Sequence, residues 1–238
     1  MMKSPFRAAV WGRAYRCCLM MLLWLGISCN KNTDSSAIFL RDNPVLSAAP
    51  ASDSVRTTVW RCDADSFTVQ MLAETAWVYT GDSVSRLRRI PAASGARFAA
   101  RADTFWNRGQ EALFVWGNRR LEGCRLDKQA GSWEAARLRG ADFRGLGQEP
   151  GWLLEIFIDD SIVFLADYAT RRIVTPYADP RIEAKGGQMV YSAENDTHAL
   201  QITIVGDSCR DVMSGFGFPA TVRVRLDGKL YEGCGREL

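Results

Sequence analysis

Residues 220–232 read Ala220-Thr221-Val222-Arg223-Val224-Arg225-Leu226-Asp227-Gly228-Lys229-Leu230-Tyr231-Glu232. Val222, Val224 and Leu226 alternate with Arg223 and Arg225, the two-residue period of a strand with one buried face. Asp227-Gly228 has the composition favoured in a two-residue hairpin turn, so the stretch predicts two antiparallel strands. Working back along the chain, residues 152–158, 161–165, 171–175, 188–191 and 199–205 are rich in the same β-branched, aliphatic and aromatic side chains. Together with the hairpin they predict a seven-strand module over residues 142–238.

An earlier module reads the same way. Residues 57–62, 67–71, 76–79, 104–106 and 112–116 predict strands, separated by the turn signals Asp63-Ala64-Asp65, Gly81-Asp82, Gly109 and Gly117-Asn118. Arg119-Arg120-Leu121-Glu122-Gly123-Cys124 closes it, and no 12-residue window holds a helical period. The expected fold class is therefore all-β, with small antiparallel modules over residues 55–127 and 142–238. Residues 128–141 between them read either as a linker or as a short helix around Trp133-Glu134-Ala135-Ala136-Arg137. The chain has 238 residues, 47% of them hydrophobic, with eleven Phe and eight Trp, which excludes a disordered or collagen-like chain.

The N-terminus has a different grammar. Lys3, Arg7, Arg13 and Arg16 precede the apolar run from Cys17 to Ile27, with no acidic residue among them. A cationic segment followed by an apolar run too short to span a bilayer predicts an export signal over residues 1–28. Cleavage before Cys29 resembles bacterial lipoprotein processing, in which the new N-terminal cysteine carries lipid. Gly26-Ile27-Ser28 equally offers the small residues of ordinary signal peptidase cleavage. Removal of the leader leaves Cys29, Cys62, Cys124, Cys209 and Cys234, an odd number that lipidation of Cys29 explains. Residues 29–54, poor in large apolar groups apart from 37–40, then read as a flexible tether to a lipid anchor.

Export also redistributes charge. Residues 1–28 carry four cations and no acid, so their loss turns the formal net charge from +3 to −1 and removes the motive for a nucleic-acid partner. Residues 55–127 hold 11 basic and 8 acidic side chains, and residues 142–238 hold 10 and 15. A basic module is followed by an acidic one.

An ordered set of motifs lies in the first module. Trp60-Arg61-Cys62 is followed by Ser94-Gly95-Ala96-Arg97-Phe98, then Phe105-Trp106-Asn107-Arg108-Gly109, then Ala112-Leu113, and finally Glu122-Gly123-Cys124. Residues 55–126 thereby resemble the membrane-bound c-type lysozyme inhibitor family, often called MliC. The resemblance implies a small antiparallel β-barrel with a Cys62–Cys124 disulfide, a c-type lysozyme as partner, and a Ser-Gly loop that enters the lysozyme cleft. Carried over by position, Ser94 is the inserted hydroxyl, Gly95, Ala96, Arg97 and Phe98 complete the loop, and Arg108 is the neighbouring cation. Arg108 stands where the family has lysine, and Phe98 where it has tyrosine. A bacterial cell-envelope location follows, lipid-anchored at the periplasmic face of the outer membrane, with no enzymatic activity and no cofactor. The competing expectation is a non-inhibitory envelope module that binds glycan or a partner protein.

In the second module, Phe143-Arg144-Gly145-Leu146-Gly147-Gln148-Glu149-Pro150-Gly151-Trp152 and Cys209-Arg210-Asp211-Val212-Met213-Ser214 resemble an uncharacterised bacterial envelope-protein domain, which implies a Cys209–Cys234 disulfide. Glu149, Glu155 and Asp159 supply carboxylates from which a glycosidase pair can be drawn, but acids are scattered throughout the strands. Asp211 is expected to satisfy backbone amides. His198 is the single histidine, which leaves no histidine-based metal site or triad. Arg86-Leu87-Arg88-Arg89 reads as a solvated basic edge, and Gly215-Phe216-Gly217-Phe218 lacks phosphate-loop spacing.

Overall fold

The computed structural model describes residues 55–63, 65–81, 83–183 and 187–238. The export leader, Cys29 and the tether lie outside the described residues, as do Ala64 and Asp82 of two expected turns.

Eight strands make a closed antiparallel barrel: β1 (Arg56–Cys62), β2 (Asp65–Leu72), β3 (Thr75–Thr80), β4 (Ser83–Ile90), β5 (Ala96–Ala100), β6 (Asp103–Arg108), β7 (Glu111–Trp116) and β8 (Arg119–Asp127). The inward positions follow the two-residue period: Trp60 and Cys62, Phe67 and Val69, Ala76 and Val78, Leu87, Phe98, Phe105, Phe114 and Cys124 are all buried in one core. β1 pairs with β8 through Val59↔Asp127 and Trp60↔Leu126, and the Cys62–Cys124 disulfide ties the same two strands. Closure removes the unpaired strand edges on which open sheets aggregate.

Two barrel strands are absent from the sequence reading. β4 contains the arginine cluster, and only Leu87 at its centre is buried in the core. It is an inner member of the closed ladder, paired with β3 and β5, so its arginines are a solvated outer surface and not an edge. β5 follows directly on the Ser-Gly loop, whose small residues mask its alternation.

Next comes the helix α1 (Ala130–Leu138). Asp127 accepts from the backbone N–H groups of Gln129 and Ala130, at 3.0 Å each, and so satisfies the first donor of the helix and the one before it. Gly131 lies against the Thr57 carbonyl, where an added Cβ would sit 2.9 Å from the oxygen. Trp133 is clamped from the other module, 5.5 Å from the Arg144 guanidinium, 4.7 Å from that of Arg236 and 5.1 Å from the Phe218 ring. The helix therefore packs on β1 with one side and on the second module with the other.

The second module contains β9 (Phe143–Gln148), β10 (Gly151–Phe157), β11 (Ser161–Ala166), β12 (Arg171–Pro176), β13 (Arg181–Glu183), β14 (Gln188–Glu194), β15 (Ala199–Val205), β16 (Cys209–Arg210), β17 (Gly217–Phe218), β18 (Ala220–Leu226) and β19 (Lys229–Glu237). Nine of them form a curled antiparallel sheet in the order β12-β11-β10-β9-β19-β18-β15-β14-β13, and β16 and β17 form a separate ribbon. The amide of Asn195, after β14, donates to the Val174 carbonyl on β12 and draws the two flanks of the sheet together. The expected hairpin is present, with Val224 opposite Tyr231 across the Asp227-Gly228 turn. The Cys209–Cys234 disulfide ties the ribbon to β19.

β9 was hidden by its glycines. Gly147 faces Trp152, and a Cβ there would lie 2.1 Å from the indole nitrogen. The bare backbone lets the indole lie across β9 and donate from Nε1 to the Glu232 carbonyl on β19 at 3.2 Å.

Candidate functional site

The connection from β4 to β5, residues Pro91 to Gly95, projects from the barrel and is exposed throughout. Gly95 has φ +69°, a left-handed conformation that side-chain-bearing residues rarely adopt. A Cβ at this position would also lie 1.9 Å from the Asn107 carbonyl oxygen. Glycine is thus required twice, by backbone angle and by the close approach of β6.

The loop is held from below. The indole Nε1 of Trp106 on β6 donates to the Ser94 carbonyl at 2.9 Å. With its carbonyl engaged, Ser94 has an exposed side chain, and its hydroxyl has no hydrogen-bond partner among the described residues. A hydroxyl in this setting is free to donate to an incoming acceptor.

Trp106 organises the surrounding cations as well. Arg97, its direct partner across the β5–β6 ladder, places its guanidinium 5.9 Å from the indole centroid, and Arg108 lies at 4.5 Å. The planar guanidinium of Arg108 stacks where an ammonium would make only a point contact, which gives the arginine at this position a structural reason. Arg108 also stands opposite Glu111 at the end of the β6–β7 hairpin. One residue further on, Ala112 faces Cys124, so the barrel disulfide is anchored beside this hairpin. A depression of about 250 Å³ opens next to it, lined by Trp106, Arg108, Glu111, Leu113, Arg120 and Glu122 among others.

The six positions singled out in the sequence therefore divide. Ser94, Gly95, Arg97 and Arg108 are exposed around Trp106, and Ala96 is half-buried at the base of the loop, paired with Asn107. Phe98 is only 1% exposed, in the barrel core, with its ring 6.3 Å from Phe105. Its place is beneath the loop, as support. In the sequence Trp106 is one member of the Phe105-Trp106-Asn107-Arg108-Gly109 motif; its central position between carbonyl and cations depends on strand pairing that no local pattern reveals.

The acids of the second module are committed elsewhere. Glu155, 5% exposed, takes Arg144 at 2.7 Å and Arg139 at 2.7 and 2.9 Å. Burial pulls the Arg144 guanidinium below its ordinary value, against the opposing charge of Glu155. Asp211 accepts from the backbone and hydroxyl of Ser214 and from the Gln148 amide. Burial alone would raise its pKa, but these hydrogen bonds prevail and hold it below the usual carboxylate range. His198 Nδ1 lies 2.7 Å from Asp227, and the described residues contain no cluster of His, Cys, Asp and Glu arranged for a metal. Glu149 and Asp159 are exposed.

Comparison of the chain with curated proteins and with solved structures returned no match. A family comparison did, and it falls entirely within the barrel, supporting a lysozyme-inhibitor role in general terms. Residues 60–122, about a quarter of the chain and all of the site built around Trp106, match the family described as MliC, membrane-bound lysozyme-inhibitor of c-type lysozyme.

Proposed function

We propose that this protein inhibits a c-type lysozyme by inserting the Ser94-Gly95 loop into the enzyme's cleft, as an exported lipoprotein held in the bacterial envelope through Cys29. The observation that carries the reading is the Ser94 hydroxyl, without a partner among the described residues, presented on a loop whose backbone is pinned by Trp106 and Gly95. A lysozyme cleft works with two carboxyl groups, one kept protonated and the other ionised. Ser94 donates to one of these groups, and Arg108 adds a charge-assisted hydrogen bond, stronger than a neutral one. Ala93 and Gly95 keep the loop narrow enough for a saccharide groove. A loop already ordered in the free protein loses little conformational entropy on insertion, so more of the contact energy remains as affinity.

The direct experiment is lysis of cell-wall substrate by a c-type lysozyme, with and without the chain from residue 29 onward. Inhibition at a 1:1 ratio is expected, weakened roughly tenfold by Ser94→Ala, the loss of about one hydrogen bond to a charged group. Undiminished lysis at micromolar excess of the folded protein overturns the proposal.

A further inference from the structure

The segment between β16 and β17 is short and tightly built. Asp211 gathers Ser214 and Gln148, the Asp211 N–H donates to the Phe216 carbonyl at 2.9 Å, and Arg210 donates to the Gly215 carbonyl at 2.6 Å. The Cys209–Cys234 disulfide fastens its base to β19. This ordered loop nevertheless holds large apolar side chains in solvent: Val212 is 84% exposed, Met213 75% and Phe216 46%. Apolar groups displayed together on a rigid support mark an interaction surface.

A cavity of about 300 Å³ adjoins the loop. Phe216, Phe218, Trp133 and Leu146 form its apolar walls, and Lys128, Arg236 and Asp211 are among its polar lining. Arg61 is there too, but Asp127 neutralises it at 2.6 Å. Lys128 and Arg236 have no acidic partner among the described residues, and the buried Nε of Arg236 has no acceptor. An apolar knuckle beside a cavity whose cations, Arg61, Lys128 and Arg236, outnumber its acids, Asp127 and Asp211, has the chemistry to meet a phospholipid: acyl chain next to phosphate.

The path of the chain agrees. Fifty-four residues precede Val55, and the described chain enters β1 where the Thr57 carbonyl meets Gly131 of α1. The same helix carries Trp133 against Phe218, whose ring lies 5.4 Å from that of Phe216. The described chain thus begins beside the helix whose Trp133 meets Phe218.

We propose that residues 211–216, with Lys128 and Arg236, dock the second module on a phospholipid surface, with Val212, Met213 and Phe216 entering the interface and the two cations holding lipid phosphate. This contact is separate from any acyl chain on Cys29 and from inhibition. A second membrane contact adds its own affinity to that of an anchor and fixes the orientation of the module at the surface.

The test uses the chain from residue 29 onward with Cys29→Ser, which removes the acylation site, sedimented with phosphatidylethanolamine vesicles containing phosphatidylglycerol. Binding is expected, reduced roughly tenfold or more by the combined change of Val212, Met213 and Phe216 to Ser, with the unfolding temperature unchanged. Lys128→Gln is expected to weaken binding to the anionic vesicles more than to vesicles of phosphatidylethanolamine alone. In a Phe216→Trp variant, vesicles should shift the added tryptophan's emission to shorter wavelength, and inorganic phosphate should not. Absence of vesicle binding by the Cys29→Ser chain overturns the proposal, as does binding that the triple serine variant leaves intact. Saturable binding of inorganic phosphate or of a soluble protein at this loop without vesicle binding does so equally.

Discussion

The indole N–H of Trp106 donates to the carbonyl of Ser94 at 2.9 Å, joining the middle of β6 to the exposed tip of the β4–β5 loop. One side chain thereby sets the path of the loop backbone and, through its π face, the direction of two arginines. The loop and its cations form one assembly, so changes at Trp106 propagate to both.

Trp106→Phe keeps a ring for stacking and deletes the donor. Its expected effect is weaker lysozyme inhibition by roughly tenfold, with stability lowered by about 1 kcal/mol, the scale of one hydrogen bond. Inhibition constants and urea unfolding of the same preparation separate the two effects. An unchanged inhibition constant would detach the loop from Trp106.

Gly95→Ala tests the loop by another route. The left-handed φ costs about 1 kcal/mol for alanine, and the clash with the Asn107 carbonyl adds to it. The loop is expected to move away from β6 while the barrel stays folded. Circular dichroism unchanged from the parent, with inhibition lost, is the anticipated pair of results.

At Arg108 the stack can be distinguished from the charge. Arg108→Lys retains the charge and gives up guanidinium stacking on Trp106, whereas Arg108→Ala removes both. Inhibition should decline in the order parent, lysine, alanine, by about 1 kcal/mol at each step. Raised salt should narrow the gap between lysine and alanine, because screening acts on the charge they differ in.

Glu155→Gln addresses the buried pair of the second module. The substitution leaves Arg144, 9% exposed, without its counter-charge. Breaking one partner of a buried pair costs about 3–5 kcal/mol, which denaturant unfolding will register. Adding Arg144→Met to the variant is expected to recover part of the loss, since no unpaired charge then remains buried.

Tyr191 predicts an alkaline boundary. Burial first, and then the negative groups around it, including Glu237, Asp142 and Asp179, push its hydroxyl up to about 12 from the ordinary 10.0. A group with a raised folded-state pKa stabilises the fold fully below pH 10 and loses that contribution as pH climbs towards 12. Tyrosinate absorbance should show late titration from Tyr191, joined by Tyr177, which burial and Asp179 also push up, and it should coincide with falling stability. In Tyr191→Phe the amplitude of the late titration should fall, leaving the part due to Tyr177.

Strand identity was legible where it rests on local chemistry. The alternation at Val222, Val224 and Leu226 and the Asp227-Gly228 turn reappear as β18, β19 and their hairpin, because side-chain period and turn conformation are properties of adjacent residues. The Ser94-Gly95 pair was equally visible, and Gly95 has the positive φ for which glycine is suited. Where a local signal was weak, reading failed: β4 has Leu87 alone in the core among arginines, and β9 is interrupted by Gly145 and Gly147. Both strands are held by neighbours on either side, and such pairing is a property of the whole sheet.

By itself, then, the amino-acid sequence determined an all-β chain and picked out the serine-glycine loop, and both disulfides followed from the families it resembles. Tertiary structure alone decided that Phe98 lies in the core and Arg108 on an indole, that Glu155 is spent between two arginines, and that residues 130–138 form a helix packed on both modules. Each of these depends on which residues from distant strands become neighbours. That is set when the barrel closes and the second sheet curls, by the joint burial of side chains far apart in the chain.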